Sequence, residues 1–137
     1  MDPVECERLA RTARVARLAT LRPDSRPDLV PIVFAFVDDA LVFAVDRKPK
    51  TTTHLQRLRN IAHQPDVAVL FDHYDDADWS RLWWVRMRGN ARVIEDAEAS
   101  VAALDALAER YPPYRDDRPP GPVVRIDPTG WHGWMGR

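Results

Sequence analysis

The sequence predicts a mainly β protein, an antiparallel β-barrel that carries short helices. After a first helix, six segments rich in β-branched and aromatic residues and two amphipathic segments follow in the order β-β-β-α-β-β-α-β. This order lacks the regular alternation of a parallel α/β sheet. Strands joined by short turns favour an antiparallel sheet, and closing that sheet into a barrel removes its exposed edges. The 137 residues fit one domain, residues 1–137.

A helix and three strands are predicted in the first half of the chain. Asp2 can cap the helix, and Pro3 suits its first position. One face of this helix is weakly apolar and consists of Cys6, Leu9, Ala10 and Ala13. Turn-forming residues occupy 22–28, and Asp38-Asp39 separates the two strands of a hairpin. The predicted strands are residues 15–21, 29–37 and 41–45.

Pro31 lies inside the second predicted strand. Proline has no backbone N–H, so this strand is either an edge of the sheet or is interrupted there by a bulge. Bulged edges are common beside binding sites. The residues alone leave both possibilities open.

The second half contributes two helices and three strands. The first helix begins at the threonines of 51–53, places Leu55, Leu58 and Ala62 on one face, and ends before Gln64-Pro65-Asp66. Asp96 can cap the second helix, and a proline-rich loop over 112–122 follows it. Gly89 predicts a bend within its strand. The predicted strands are residues 67–71, 82–94 and 123–127.

The composition argues against several functional classes. Acidic and basic residues nearly cancel, 21 against 20, so no overall field attracts nucleic acid or a membrane surface. The N-terminus lacks a signal-peptide pattern, and no apolar run approaches the roughly 18–20 residues of a membrane span. Cys6 is the single cysteine, which excludes an internal disulfide and a multi-cysteine metal site. We expect a cytoplasmic protein whose partner is a small molecule.

The strongest local feature is the basic segment over residues 46–54, Asp-Arg-Lys-Pro-Lys-Thr-Thr-Thr-His. It brings three cations and three hydroxyls to the junction of a strand with a helix N-terminus. Free backbone donors and the positive end of the helix dipole point at the same spot, which suits a phosphate. Arg47 or Arg57 could grip such a phosphate bidentately. The alternative is a solvated basic turn with ordinary threonine capping.

The usual catalytic and metal-binding motifs are missing from the sequence. The four histidines are scattered without a metal-ligand spacing, and neither a GxSxG elbow nor a GxGxxG or Walker loop is present. Cys6 has no evident partner base. No catalytic residue and no metal are therefore assigned. A phosphate cradle without acid–base machinery is typical of a protein that leaves the chemistry to a bound cofactor.

Five tryptophans are many for this length, namely Trp79, Trp83, Trp84, Trp131 and Trp134. Their ordinary role is packing in the core and in a dimer interface. The functional alternative is that they line the pocket of a planar ring system. Trp83 and Trp84 are adjacent on a strand and point to opposite faces, so only one of them can line a given pocket.

A pattern runs through residues 26–34, 41–46, 48–51, 55–61 and 65–70, and residues 82–89 add to it. In its order and spacing this pattern resembles the pyridoxamine 5'-phosphate oxidase-like split β-barrel family. Within that family the likeness is to the deazaflavin (coenzyme F420)-dependent oxidoreductases of actinobacteria. It covers the chain from about Arg14 to Ile94, and the last predicted strand is compatible with it.

The resemblance implies a six-stranded antiparallel split β-barrel of the FMN-binding type. It further implies a homodimer with two cofactor sites in grooves between the protomers. The strand against the cofactor ring would be Val30, Pro31, Ile32 and Val33. The phosphate would be held by Arg47, Lys48, Lys50, Thr51 and Thr52. Arg57 would reach the acidic tail of F420 or the same phosphate, and Trp79 or Trp83 would close the groove from the partner chain.

The function that this resemblance implies is hydride transfer between F420 and a small unsaturated organic molecule. An FMN-dependent oxidase or reductase on the same fold is one alternative. A non-catalytic binder or carrier of F420, FMN, haem or a tetrapyrrole is another, since the fold alone does not determine the chemistry. The sequence lacks the basic strand signature and the C-terminal substrate-binding segment of the vitamin B6 oxidases, which disfavours pyridoxamine oxidation.

Overall fold

The computed structural model describes residues 1–45 and 52–136, and of residues 52–55 it describes the backbone alone. Within these ranges the helices are α1 Pro3–Thr12, α2 Thr52–His63, α3 Ala97–Arg110 and α4 Pro112–Asp116, with a 3₁₀ turn at Trp79–Arg81. The strands are β1 Ala16–Leu21, β2 Pro27–Ile32, β3 Ala35–Val37, β4 Ala40–Ala44, β5 Asp66–His73, β6 Trp83–Ile94 and β7 Val123–Met135. Every strand pairing that the structure describes is antiparallel.

The sheet curls because its two edges are neighbours in the chain. The spatial order of the strands is β2-β1-β5-β6-β7-β4-β3, so β2 and β3 lie at opposite edges. Only Val33 and Phe34 separate these two strands in sequence. Three Cα–Cα steps span at most about 11 Å, so the edges must come together. The predicted mainly β, barrel-like fold with short helices is thereby confirmed.

The predicted strand over 29–37 is in fact two strands, which makes seven in the described chain instead of six. The break coincides with hydrogen bonds between the backbone of Phe34 and a side chain that is distant in sequence. The hydroxyl of Tyr111 accepts a hydrogen bond from the Phe34 N–H at 3.1 Å and donates one to the Phe34 carbonyl at 2.9 Å. The N–H and the carbonyl of Phe34 therefore have hydrogen-bond partners in a side chain at the end of α3. They do not need partners from a neighbouring strand.

Pro31 lies on an edge strand, as one of the two open alternatives predicted. The strand β2 pairs with β1 alone, and Pro31 lies opposite Arg17 in a register that runs without interruption from Ala16 to Leu21. A residue without an N–H is tolerated here because only one side of the strand is paired. The bulge is elsewhere, between Arg88 and Gly89, where the register against β7 shifts. The bend predicted at Gly89 is therefore confirmed.

Two predictions for the C-terminal part are wrong. The last strand does not end at residue 127 but continues to Met135, because β6 offers it a partner along its whole length. The proline-rich loop over 112–122 contains a short helix, α4, with Pro112 at its first turn. Proline is favoured at that position because its missing N–H would have no partner there.

The barrel interior and the helices that cover it form two apolar clusters. The larger one includes Phe34, Phe71 and Met87, each no more than 1% exposed, and it receives the predicted apolar face of α1. The Asp2 carboxylate caps α1 by accepting the Glu5 N–H at 2.8 Å, as predicted. The smaller cluster lies beneath α3 and contains Ala35 and Leu107. None of the described helices combines the length and hydropathy needed to cross a membrane.

Candidate functional site

An open groove of about 310 Å³ lies where α2 crosses the edge of the sheet formed by β1 and β2. We call it the α2 groove. Its lining comes from the two strands, the turn between them and the helix, and consists of Thr20, Arg22, Asp28, Leu29, Val30, Gln56 and Arg57. Two of the predicted cofactor residues, Val30 from the sheet edge and Arg57 from the helix, therefore meet in one place.

The inner side of this groove is held together by one buried amide, that of Asn60. Its Nδ2 donates to Thr20 Oγ1 at 3.0 Å and to Asp28 Oδ2 at 2.8 Å. Its Oδ1 accepts from Gln56 Nε2 at 2.8 Å. Asn60 itself is fully buried and does not line the groove. One side chain thus links polar groups from β1, β2 and α2.

Charge in the groove is mixed. The Asp28 carboxylate forms an ion pair with Arg22 at 3.4 Å, and both side chains are partly exposed. The guanidinium of Arg57 lies 5.8 Å from the centre of the Phe43 ring, which suits a cation–π contact. Two arginines against one carboxylate leave the described lining with an excess of positive charge, as an anionic ligand requires.

The predicted ring-contacting residues differ in exposure along β2 and just after it. Val30 and Val33 are half-buried, and Pro31 is exposed at the sheet edge. Ile32 is 5% exposed and packs in the barrel core. Val30 and Ile32 are two residues apart on the strand and point to the same inner face of the sheet. Of the four predicted residues, Val30 is the one that lines the α2 groove.

The predicted phosphate turn falls mostly outside the described residues. This applies to Arg47, Lys48, Lys50 and Thr51. Thr52 is the first residue of α2, in agreement with the predicted start of that helix, and its side chain is not described. The helix that follows the turn is the one that supplies Gln56 and Arg57 to the groove.

Trp79 and Trp83 do not line the α2 groove of their own chain. Trp83 begins β6, pairs with His73 of β5, and stacks on its imidazole with the ring centres 6.5 Å apart. It lines a second groove of about 540 Å³, the Trp83 groove, together with Arg14, His73, Arg81 and Met135 among others. Trp79 lies on the nearby 3₁₀ turn and is 67% exposed.

The remaining tryptophans divide between core and surface. Trp131 packs among the barrel aromatics, with its ring centre 6.4 Å from that of Phe71. Trp84 lies beside His132 on the outer face of the sheet, at 5.4 Å between ring centres. The ordinary packing role is thus observed for Trp131.

Cys6 takes no part in either groove. Its side chain is fully buried beneath α1, and this burial raises the pKa of the thiol above its ordinary value. A thiol held in its protonated form is a poor nucleophile. Among the residues that the structure describes, no group of three His, Cys, Asp or Glu side chains is placed to hold a metal ion.

Five of the described lining residues were not predicted from the sequence, namely Thr20, Arg22, Asp28, Leu29 and Gln56. Asn60, which lies behind them, was not predicted either. Asp28 was placed in a turn, whereas β2 begins at Pro27. Asn60 does not belong to the apolar face predicted for its helix, which is Leu55, Leu58 and Ala62. The signal that could have found it is its spacing, since Gln56 and Asn60 are four residues apart and face the same way on a helix.

Comparisons with known proteins agree with this fold. A family model described as pyridoxamine 5'-phosphate oxidase matches residues 3–135. A conserved hypothetical protein from Mycobacterium tuberculosis is 25% identical and superimposes with a TM-score of 0.81, covering 100% of this chain and 86% of that one. A search of curated proteins gave no significant match.

Two further solved structures share the fold at lower identity. One is an FAD-binding protein from Mesorhizobium loti, 22% identical with a TM-score of 0.73, covering 97% of this chain and 94% of that one. The other is a haem storage protein from Vibrio cholerae, 16% identical with a TM-score of 0.75, covering 98% and 96%. These neighbours indicate that the same architecture serves more than one cofactor.

Proposed function

Since the chain belongs to the pyridoxamine 5'-phosphate oxidase family, we propose that it is an F420-dependent oxidoreductase. It would transfer hydride between the deazaflavin cofactor and a small unsaturated organic substrate. The observation that supports this proposal is the α2 groove, which is lined by both Val30 at the sheet edge and Arg57 on the helix. An apolar strand and a cation on the helix that follows the basic turn match the two ends of a ring-and-phosphate cofactor.

The described lining residues fit such a cofactor in character, with an apolar strand residue beside two arginines. A groove of about 310 Å³ is near the lower limit of usual ligand sites, about 300–1,000 Å³, and is open on one side. When bound, the deazaflavin ring supplies the hydride. The chain's own part is to hold the phosphate through the basic turn and Arg57, and to press Val30 against the ring. Asp28 is the single carboxylate among the lining residues that the structure describes.

The test is a fluorescence titration of the purified protein with F420 and with FMN, repeated on Lys50→Ala. We expect F420 to bind and Lys50→Ala to lose most of that affinity, because one phosphate-binding cation is removed. Arg59→Ala is the matched control, since Arg59 is an exposed cation on α2 that does not line the groove. Retention of FMN through purification would favour the FMN-dependent oxidase or reductase. If neither cofactor binds, the proposal fails.

The open side of the groove is the reason to propose a homodimer. Leu29, at the mouth of the groove, is 69% exposed, and Trp134 on the outer sheet face is 48% exposed. Apolar side chains at such a position gain by being covered by a second copy. In this proposal the partner brings Trp79 or Trp83 to the groove, a position that they do not reach within their own chain.

Mixed dimers test this shared site. Arg57→Ala and Trp83→Ala proteins are each expected to bind F420 poorly. When the two are refolded together, the mixed dimer contains one site with neither substitution, so roughly a quarter of all sites should regain full affinity by random pairing. No recovery on mixing, with dimers verified by sedimentation, would mean that Arg57 and Trp83 act in the same chain. A Trp83→Ala protein that binds F420 normally before mixing would mean that Trp83 has no role.

A non-catalytic haem binder is the second candidate, favoured by one observation in the other groove. The Trp83 groove contains His73 and Met135, which are side chains of the axial-ligand type. Arg14 and Arg81 could meet the propionates. Titration with haemin would then give a Soret band that His73→Ala shifts or abolishes, and F420 would not bind.

A further inference from the structure

The α2 groove depends on a residue that lies behind its surface. Among the lining side chains that the structure describes, three are hydrogen-bonded to Asn60. They come from three different elements: Thr20 from β1, Asp28 from β2 and Gln56 from α2. We call these three side chains the polar wall. Arg22 joins it through its ion pair with Asp28.

The burial of Asn60 is informative because an amide in a protein interior is unfavourable unless it is hydrogen-bonded. Asn60 is fully buried, and both its nitrogen and its oxygen are bonded within the wall. An apolar side chain of similar size could fill the same space without needing partners. The amide differs from an apolar side chain because its hydrogen bonds fix the orientation of each partner side chain.

The wall shares one groove with the residues proposed for the two ends of the cofactor, Val30 at the sheet edge and Arg57 on α2. Besides Val30 and Arg57, the described lining is mostly polar, and Thr20, Asp28 and Gln56 make up the wall. A ligand whose ring lies on the strand and whose phosphate lies at the helix would therefore bring its linking chain against these side chains. A hydroxyl, a carboxylate and a carboxamide together suit hydroxyl groups, which both donate and accept.

We propose that Asn60 is a positioning residue that holds Thr20, Asp28 and Gln56 as one wall, and that this wall binds the polyhydroxyl chain linking the cofactor's ring to its phosphate. This inference rests on the proposed function, because FMN and F420 share that chain. The proposal assigns the polyhydroxyl chain of the ligand to Thr20, Asp28 and Gln56, which the ring and the phosphate would leave uncontacted. Asn60 touches no ligand and acts through the three side chains it orients.

The test compares ligands with and without the chain. Riboflavin carries the ribityl chain on the flavin ring, and lumichrome is the ring without it; the corresponding deazaflavins serve if the wild type binds F420 and not FMN. Affinities are measured by fluorescence for the wild type and for Asn60→Leu. We expect Asn60→Leu to bind the chain-bearing ligand about tenfold more weakly, the size of one or two lost hydrogen bonds, and to bind the bare ring as before.

The matched control is Tyr111→Phe, which removes another buried hydroxyl network, one that includes the Phe34 backbone and no residue of the wall. It lowers stability without changing the ratio of the two affinities. If Asn60→Leu weakens both ligands equally, or behaves like Tyr111→Phe, the residue is structural and the inference is overturned. Should Asn60→Leu not fold, Thr20→Val decides: it should lose the preference for the chain, and Thr20→Ser should restore it. If the wild type binds neither FMN nor F420, the proposed function fails and takes this inference with it.

Discussion

Replacing Phe71 with alanine is expected to lower the free energy of unfolding by about 3–5 kcal/mol. Phe71 is fully buried, and its ring lies at the centre of the barrel aromatics. The ring centres of Phe34 and Trp131 are 5.2 Å and 6.4 Å away. Alanine would remove the buried area and leave a cavity among rigid rings that cannot collapse to fill it.

Urea denaturation followed by tryptophan fluorescence measures this change. Leu70→Ala is the matched control, because Leu70 is the neighbour on β5, faces the other side of the sheet and is 38% exposed. Leu70→Ala should lower the free energy of unfolding several times less than Phe71→Ala does. Equal effects from the two substitutions would show that the aromatic cluster does not dominate the core of this barrel.

Replacing Gly89 with alanine is expected to cost about 1–3 kcal/mol of stability. A Cβ at this position would lie 2.5 Å from Ile126 Cγ2 and 2.8 Å from the carbonyl oxygen of Asp127. Both atoms belong to β7, and the second is backbone, so relief requires the strand itself to move. Because the register between β6 and β7 shifts at this point, the strain would fall on the longest strand pair of the sheet.

Gly130→Ala is the control for that substitution. Gly130 lies opposite Arg88 in the same strand pair, and a Cβ there would meet nothing within 4 Å. Thermal unfolding should show it to be neutral or slightly stabilising, since alanine restricts the unfolded chain. A Gly89→Ala protein as stable as Gly130→Ala would mean that the bulge adjusts to a side chain at little cost.

Features that depend on neighbouring residues were predictable from the sequence. Asp2 and Asp96 cap α1 and α3 through bonds to backbone N–H groups three residues ahead, at 2.8 and 2.9 Å. Proline next to a capping residue, or a glycine within a β-branched segment, determines local geometry with little help from the rest of the fold. The bend at Gly89 and the start of α2 at Thr52 belong to the same class.

Features that depend on distant partners were not predictable in this way. The stretch after residue 127 contains Pro128, Gly130 and Gly133, a composition typical of turns, yet it forms a strand because β6 pairs with it. The break after Ile32 depends on Tyr111, some 77 residues away from Phe34. Tertiary pairing overrides local preference in both cases.

The candidate site divides along the same line. The likeness to a known family was enough to predict Val30 and Arg57 as cofactor-binding residues. In the structure both line the α2 groove. The polar wall was missed because its members are ordinary residues in isolation. Thr20 and Asn60 are 40 residues apart, and only the folded chain places their side chains 3.0 Å from each other.

The position of β7 in the sheet bears on how the protein is made. It lies between β6 and β4, so until it is in place no described strand pairing joins the two pieces of the sheet, β2-β1-β5-β6 and β4-β3. On the ribosome, residues 1–122 are therefore synthesised before the two pieces can pair through β7. We expect the nascent chain to keep the apolar face of β4 uncovered during this time, and to need chaperone protection until residues 123–135 emerge.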